Sequence, residues 1–130
     1  MLTIDIPETA EIAAMRGAEV LDRIRPEWFN DIDIEKLYMA SATKCIVGQL
    51  WGHYDEHKDE VVVLIDPDHV TTYPDNSMEL ETTSVLMLAH GFFVVEPFFA
   101  EHQNFIVPSY SYNDLTAAWR REIDIRRRSA

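Results

Sequence analysis

Two imidazoles four residues apart stand in the run His53-Tyr54-Asp55-Glu56-His57. On a helix that spacing puts both rings on one face, where they could hold a divalent metal with Glu56 or Asp59 as an oxygen ligand or base. The run is not the HExxH signature, because Tyr54 occupies the glutamate position. A metal centre also needs a further positioned ligand, and no spacing selects one from His69, His90 and His102. A run this polar equally describes a solvated helix end. The single cysteine, Cys45, could act as a nucleophile with a histidine and an acid, Gln49 donating to an oxyanion. Beside Ile46 and Val47, however, a cysteine ordinarily serves as a small core residue. Gly48-Gln49-Leu50-Trp51-Gly52 carries neither the GxxxxGK[ST] nor the GxGxxG pattern, so close packing is the expected use of its glycines and no cofactor is expected. These residues point away from an enzyme. The catalytic alternative is a small metal-dependent hydrolase or nuclease using His53 and His57.

The elements that must carry these residues follow from periodicity and punctuation. Residues 7–24 repeat apolar positions at the helical period, with Glu8 and Glu11 near the start and Arg23 and Arg25 near the end, as the helix dipole prefers. Gly17 inside that run suggests close approach of another element. Pro26-Glu27-Trp28-Phe29 reads as one turn with proline leading. A second helix is expected from Ser41, acting as its cap, to about His57. Residues 61–65, Val-Val-Val-Leu-Ile, read as the clearest strand. A loop over 66–77 leads to a third helix from Ser77 to His90, with Gly91 as its left-handed cap. Residues 92–95 and 105–107 are the remaining strand candidates, and a last helix begins at Ser111 with Asp114 three residues on. The expected fold is α+β, a single domain over 1–130, with about four helices packed on a two- or three-stranded sheet.

Charge narrows the class of partner. The 130 residues carry 11 basic and 23 acidic side chains, a net charge of −12, and 47% are hydrophobic, enough for a sizeable core. Between positions 55 and 101 eleven acids face Lys58 alone, whereas five arginines lie between 120 and 128. That balance argues against direct nucleic-acid binding, which depends on phosphate neutralisation. No apolar run approaches the roughly 18–20 residues of a membrane span, and the first residues lack a secretory pattern. The cytoplasm is the expected location.

Several ordered fragments are familiar. They are Gly17-Ala18-Glu19-Val20-Leu21-Asp22, then Arg25-Pro26-Glu27-Trp28-Phe29 with Ile32-Asp33, then Cys45-Ile46-Val47-Gly48-Gln49-Leu50-Trp51-Gly52-His53-Tyr54, then His90-Gly91-Phe92, and finally Leu115-Thr116-Ala117-Ala118-Trp119-Arg120. Together they resemble a group of small uncharacterised proteins of actinobacteriophages and actinobacterial genomes, whose pattern runs GA-x-LLD, RPGWW-x-x-ID, C-V-L-G-Q-L-[FYW]-G-x-Y, HGF, LTAAWR. The chain departs from it with Glu27 where the group carries glycine, and with longer segments at 55–78 and 96–110. The resemblance implies an accessory protein of phage or prophage origin, working in the host cytoplasm, and supplies no reaction.

The expected function is therefore to bind and modulate a host protein with a basic surface, as a host-defence inhibitor or a nucleic-acid mimic. The residues assigned to that surface are Asp66, Asp68, Tyr73, Asp75, Glu79, Glu81, Glu101, Phe105 and Tyr110. A minor virion structural or assembly role, with the arginine-rich C-terminus on packaged DNA, is the other alternative.

Overall fold

A computed structural model describes residues 7, 9–68, 82–94 and 110–129. Its elements are α1 (Ala10–Ile24), a 3-10 turn (Trp28–Asp31), α2 (Ile46–Trp51), α3 (Tyr54–Ile65), α4 (Thr82–Ala89) and α5 (Tyr112–Ser129). There is no strand among the described residues, so the α+β expectation is overturned in favour of a helical fold. Residues 105–107, the third strand candidate, lie outside the described residues.

The first expected strand, 61–65, is the last part of α3. Its burial shows why. Val61, Val62 and Ile65 are buried while Val63 and Leu64 face out, a helical rather than an alternating pattern. β-branched composition is a weak preference, and packing of one helical face overrides it. The second expected strand loses its first residues to the end of α4. Gly91 N–H donates to Leu88 O at 3.2 Å and Phe92 N–H to Met87 O at 2.9 Å. With Gly91 at φ 75°, this is a Schellman cap, as the glycine after His90 suggests. Beyond it, Val94 bonds through both its N–H and its carbonyl to the Tyr112 hydroxyl, at 3.3 Å each, rather than to another strand.

The expected helix from Ser41 to His57 is two helices. Gly52 sits at φ 112°, donates its N–H to Gly48 O at 2.8 Å, and ends α2. Ser41 caps only a turn, accepting from Lys44 N–H at 3.2 Å, and α2 begins after Cys45. The start of α5 follows the sequence closely. Ser111 Oγ accepts from Asp114 N–H at 3.1 Å, and Asp114 Oδ2 accepts from Ser111 N–H at 3.0 Å, a reciprocal capping box.

Helices α1 and α5 lie side by side in the same direction, since Thr9 and Ala10 share a cleft with Tyr110 and Asp114, and Asp22 pairs with Arg126. At their crossing, a Cβ on Gly17 would stand 2.7 Å from the Trp119 ring and would meet the His90 carbonyl. Glycine permits that approach. Trp119 is fully buried, edge-on to Trp28 with centroids 5.7 Å apart and stacked on Phe92 at 5.4 Å. Both indole N–H groups have partners: Trp119 Nε1 donates to Gly91 O at 2.7 Å and Trp28 Nε1 to Asp22 Oδ1 at 2.9 Å. Burying two such rings removes several hundred Å² of apolar surface from water, at about 25 cal/mol per Å². No described helix is long and apolar enough to cross a membrane.

Candidate functional site

The residues first suspected of chemistry are engaged in holding the chain together. His53 precedes α3 in extended conformation, φ −155°, so it and His57 do not share a helical face. Instead His57 Nδ1 lies 3.0 Å from the His53 carbonyl, a bond that closes the first turn of α3. His53 Nδ1 is buried and has no hydrogen-bond partner among the described residues. No three His, Cys, Asp or Glu residues gather in metal-binding geometry among the described residues.

Cys45 is the N-cap of α2. Its Sγ accepts from Gly48 N–H at 3.2 Å, and the side chain is buried. Burial pushes the thiol above its ordinary pKa, so the thiolate needed for attack is disfavoured. Gln49 is a staple. Its Oε1 accepts from Asp33 N–H at 2.7 Å, and its Nε2 donates to the carbonyls of Asp33 at 3.2 Å and Lys44 at 3.0 Å. One amide thus closes both ends of the 33–44 loop. Gly48 permits the same closure, because a Cβ there would stand 2.6 Å from the Thr43 carbonyl carbon. Of the two glycines, Gly48 serves close approach and Gly52 serves helix termination.

His90 is held by Nδ1 at 2.9 Å from Leu86 O. Burial lowers its pKa, with Arg16 and Arg23 acting in the same direction. Arg126, Arg127 and Arg128 are also occupied within the fold. Arg126 makes ion pairs with Asp22 at 2.8 Å and Glu122 at 2.9 Å, Arg127 donates to the carbonyls of Phe29 and Ile32, and Arg128 pairs with Asp124. The Arg126 bond holds the Asp22 carboxyl below its usual range.

Of the residues assigned to a partner surface, Asp66, Asp68 and Tyr110 are described. Tyr73, Asp75, Glu79, Glu81, Glu101 and Phe105 lie outside the described residues. Asp66 caps the end of α3 and accepts from Asp68 N–H at 3.2 Å. Tyr110 is half-buried beside the cleft between the starts of α1 and α5. Its hydroxyl has no hydrogen-bond partner among the described residues, and burial raises its pKa to about 12.

What the sequence reading missed is on α3. Once residues 61–65 are helical, Glu56, Glu60, Val63 and Leu64 fall at i, i+4, i+7 and i+8 on one outward stripe, with Asp55 beside it. Val63 and Leu64 are 43% and 41% exposed. Asp55, Glu56 and Glu60 make no ion pair among the described residues. Asp68 continues the acidic edge past the helix end. The helical period of the acids was the available signal, hidden by reading the valines as a strand.

No family model, curated protein or solved structure matches the chain.

Proposed function

We propose that this chain is a phage or prophage accessory protein of the host cytoplasm, which works by binding a host protein with a basic surface. The observation that carries the reading is the outward stripe of α3, where Glu56 and Glu60, without ion pairs among the described residues, run into exposed Val63 and Leu64. An apolar centre bordered by carboxylates is the composition of a docking face, and the uncompensated charge speeds encounter with a cationic partner. A non-catalytic role is supported by the engagement of Cys45, Gln49 and His57 in helix and loop closure. The phage origin is supported by the resemblance, and Glu27 adds to it. That residue adopts φ 65°, a conformation suited to the glycine the group carries there.

The test is capture from an actinobacterial lysate on immobilised protein at stepped ionic strength. A defined host protein retained at low salt and released as salt rises is the expected result. No retained protein, or retention indifferent to salt, would contradict the reading.

A further inference from the structure

The cations of this acidic chain are distributed unevenly with respect to their counterions. Arg25, Arg126 and Arg128 each pair with a carboxylate. Three cations line one open cleft of about 660 Å³, bounded by Glu35, Lys36, Tyr38, Lys44, Asn113 and Arg120. Lys44 and Arg120 make no ion pair among the described residues, and Lys36 reaches Asp33 only at 3.9 Å. Two carboxylates, Glu35 in the lining and Asp33 beside Lys36, thus stand against three cations in a concavity on a chain of net charge −12. A concave site with an excess of positive charge attracts anions, and its volume lies in the range that holds small ligands.

The walls are fixed before any ligand arrives. Met39 N–H donates to Thr116 Oγ1 at 2.9 Å, and Arg120 Nη2 donates to Leu37 O at 3.3 Å, so the loop is pinned to α5 at two points. Gln49 closes the loop from the other side, and Tyr38 N–H bonds to Lys44 O at 3.3 Å. The Arg120 bond uses only Nη2, which leaves the rest of its guanidinium able to donate. Tyr38, 45% exposed, adds an aromatic ring to the cleft, and Asn113 an amide. A loop backbone pinned in this way loses little freedom on binding.

We infer that this cleft binds a mononucleotide-class ligand, its phosphates held by Lys36, Lys44 and Arg120 and its planar base set against Tyr38. The site is separate from the α3 stripe, so it stands whether or not that surface docks a protein.

Calorimetric titration of the full chain with ADP, AMP, inorganic pyrophosphate and a short single-stranded oligonucleotide tests it. The inference expects saturable ADP binding with a Kd of about 1 mM or tighter at low salt, and weaker binding as salt rises. Lys36→Glu and Lys44→Glu, both at exposed positions, should each weaken ADP binding about tenfold or more. Tyr38→Ala should weaken it about tenfold while leaving pyrophosphate unaffected. Arg121→Glu, the same charge change on the α1 side of α5, should leave binding intact. Far-ultraviolet circular dichroism checks that each variant keeps its helices. Absence of saturable binding, or equal losses in Arg121→Glu, would overturn the inference. So would pyrophosphate binding as tightly as ADP, or an oligonucleotide binding far more tightly than either.

Discussion

Replacing Gly17 with alanine sets two effects against each other. In an isolated helix the change would stabilise α1 by about 1 kcal/mol, because alanine loses less backbone freedom than glycine. In the folded chain the new methyl would stand 2.7 Å from Trp119 Cζ2 and would collide with the His90 carbonyl. The ring has little room to retreat, since Trp28 and Phe92 flank it and its Nε1 donates to Gly91 O at 2.7 Å. Overpacking of this sort costs about 1–3 kcal/mol. Loosening the indole hydrogen bond adds about 1 kcal/mol. The net expectation is a loss of roughly 2 kcal/mol, seen as a fall in melting temperature on the order of 6 °C for a chain of this length. Urea unfolding followed by tryptophan fluorescence measures it directly, because two buried indoles report on the crossing itself. A variant as stable as the parent, or more stable, would refute the packing of α1 on α4 and α5.

Glu27 occupies the left-handed region at φ 65°, where a side chain costs about 1 kcal/mol relative to glycine, so Glu27→Gly should raise the urea midpoint. The His90 pKa is lowered by burial, so the unfolded chain takes up a proton first as pH falls. Stability should therefore decline as pH drops below about 6.5 and until the folded-state pKa is passed, and His90→Gln should flatten that slope in denaturation curves at stepped pH. Cys45, buried and capping α2, should react with a thiol reagent only as fast as the chain opens, and a rapid native-state reaction would contradict its place as a cap.

How far the sequence is legible depends on whether local signals agree with packing. The start of α5 is readable because Ser111 and Asp114 satisfy each other's backbone N–H groups without help from elsewhere. Gly91 is readable for the same local reason, since a left-handed cap follows from the residue type. The run at 61–65 is misleading because its composition favours strands while α1 and α4 bury one helical face of it. That misreading also hides the α3 stripe, since the outward position of Val63 and Leu64 exists only at the helical period. Gln49 is legible as a polar residue needing partners, but not as the staple of the 33–44 loop, because its partners lie 5 and 16 positions away.

The proposed working surface is the outward stripe of α3. It is tested most directly by repeating the lysate capture with Glu56→Lys/Glu60→Lys beside the parent chain, each first shown to melt at the same temperature. The salt-sensitive host protein is expected to be retained by the parent and lost from the double variant. Equal retention by both would place the interaction elsewhere and contradict it.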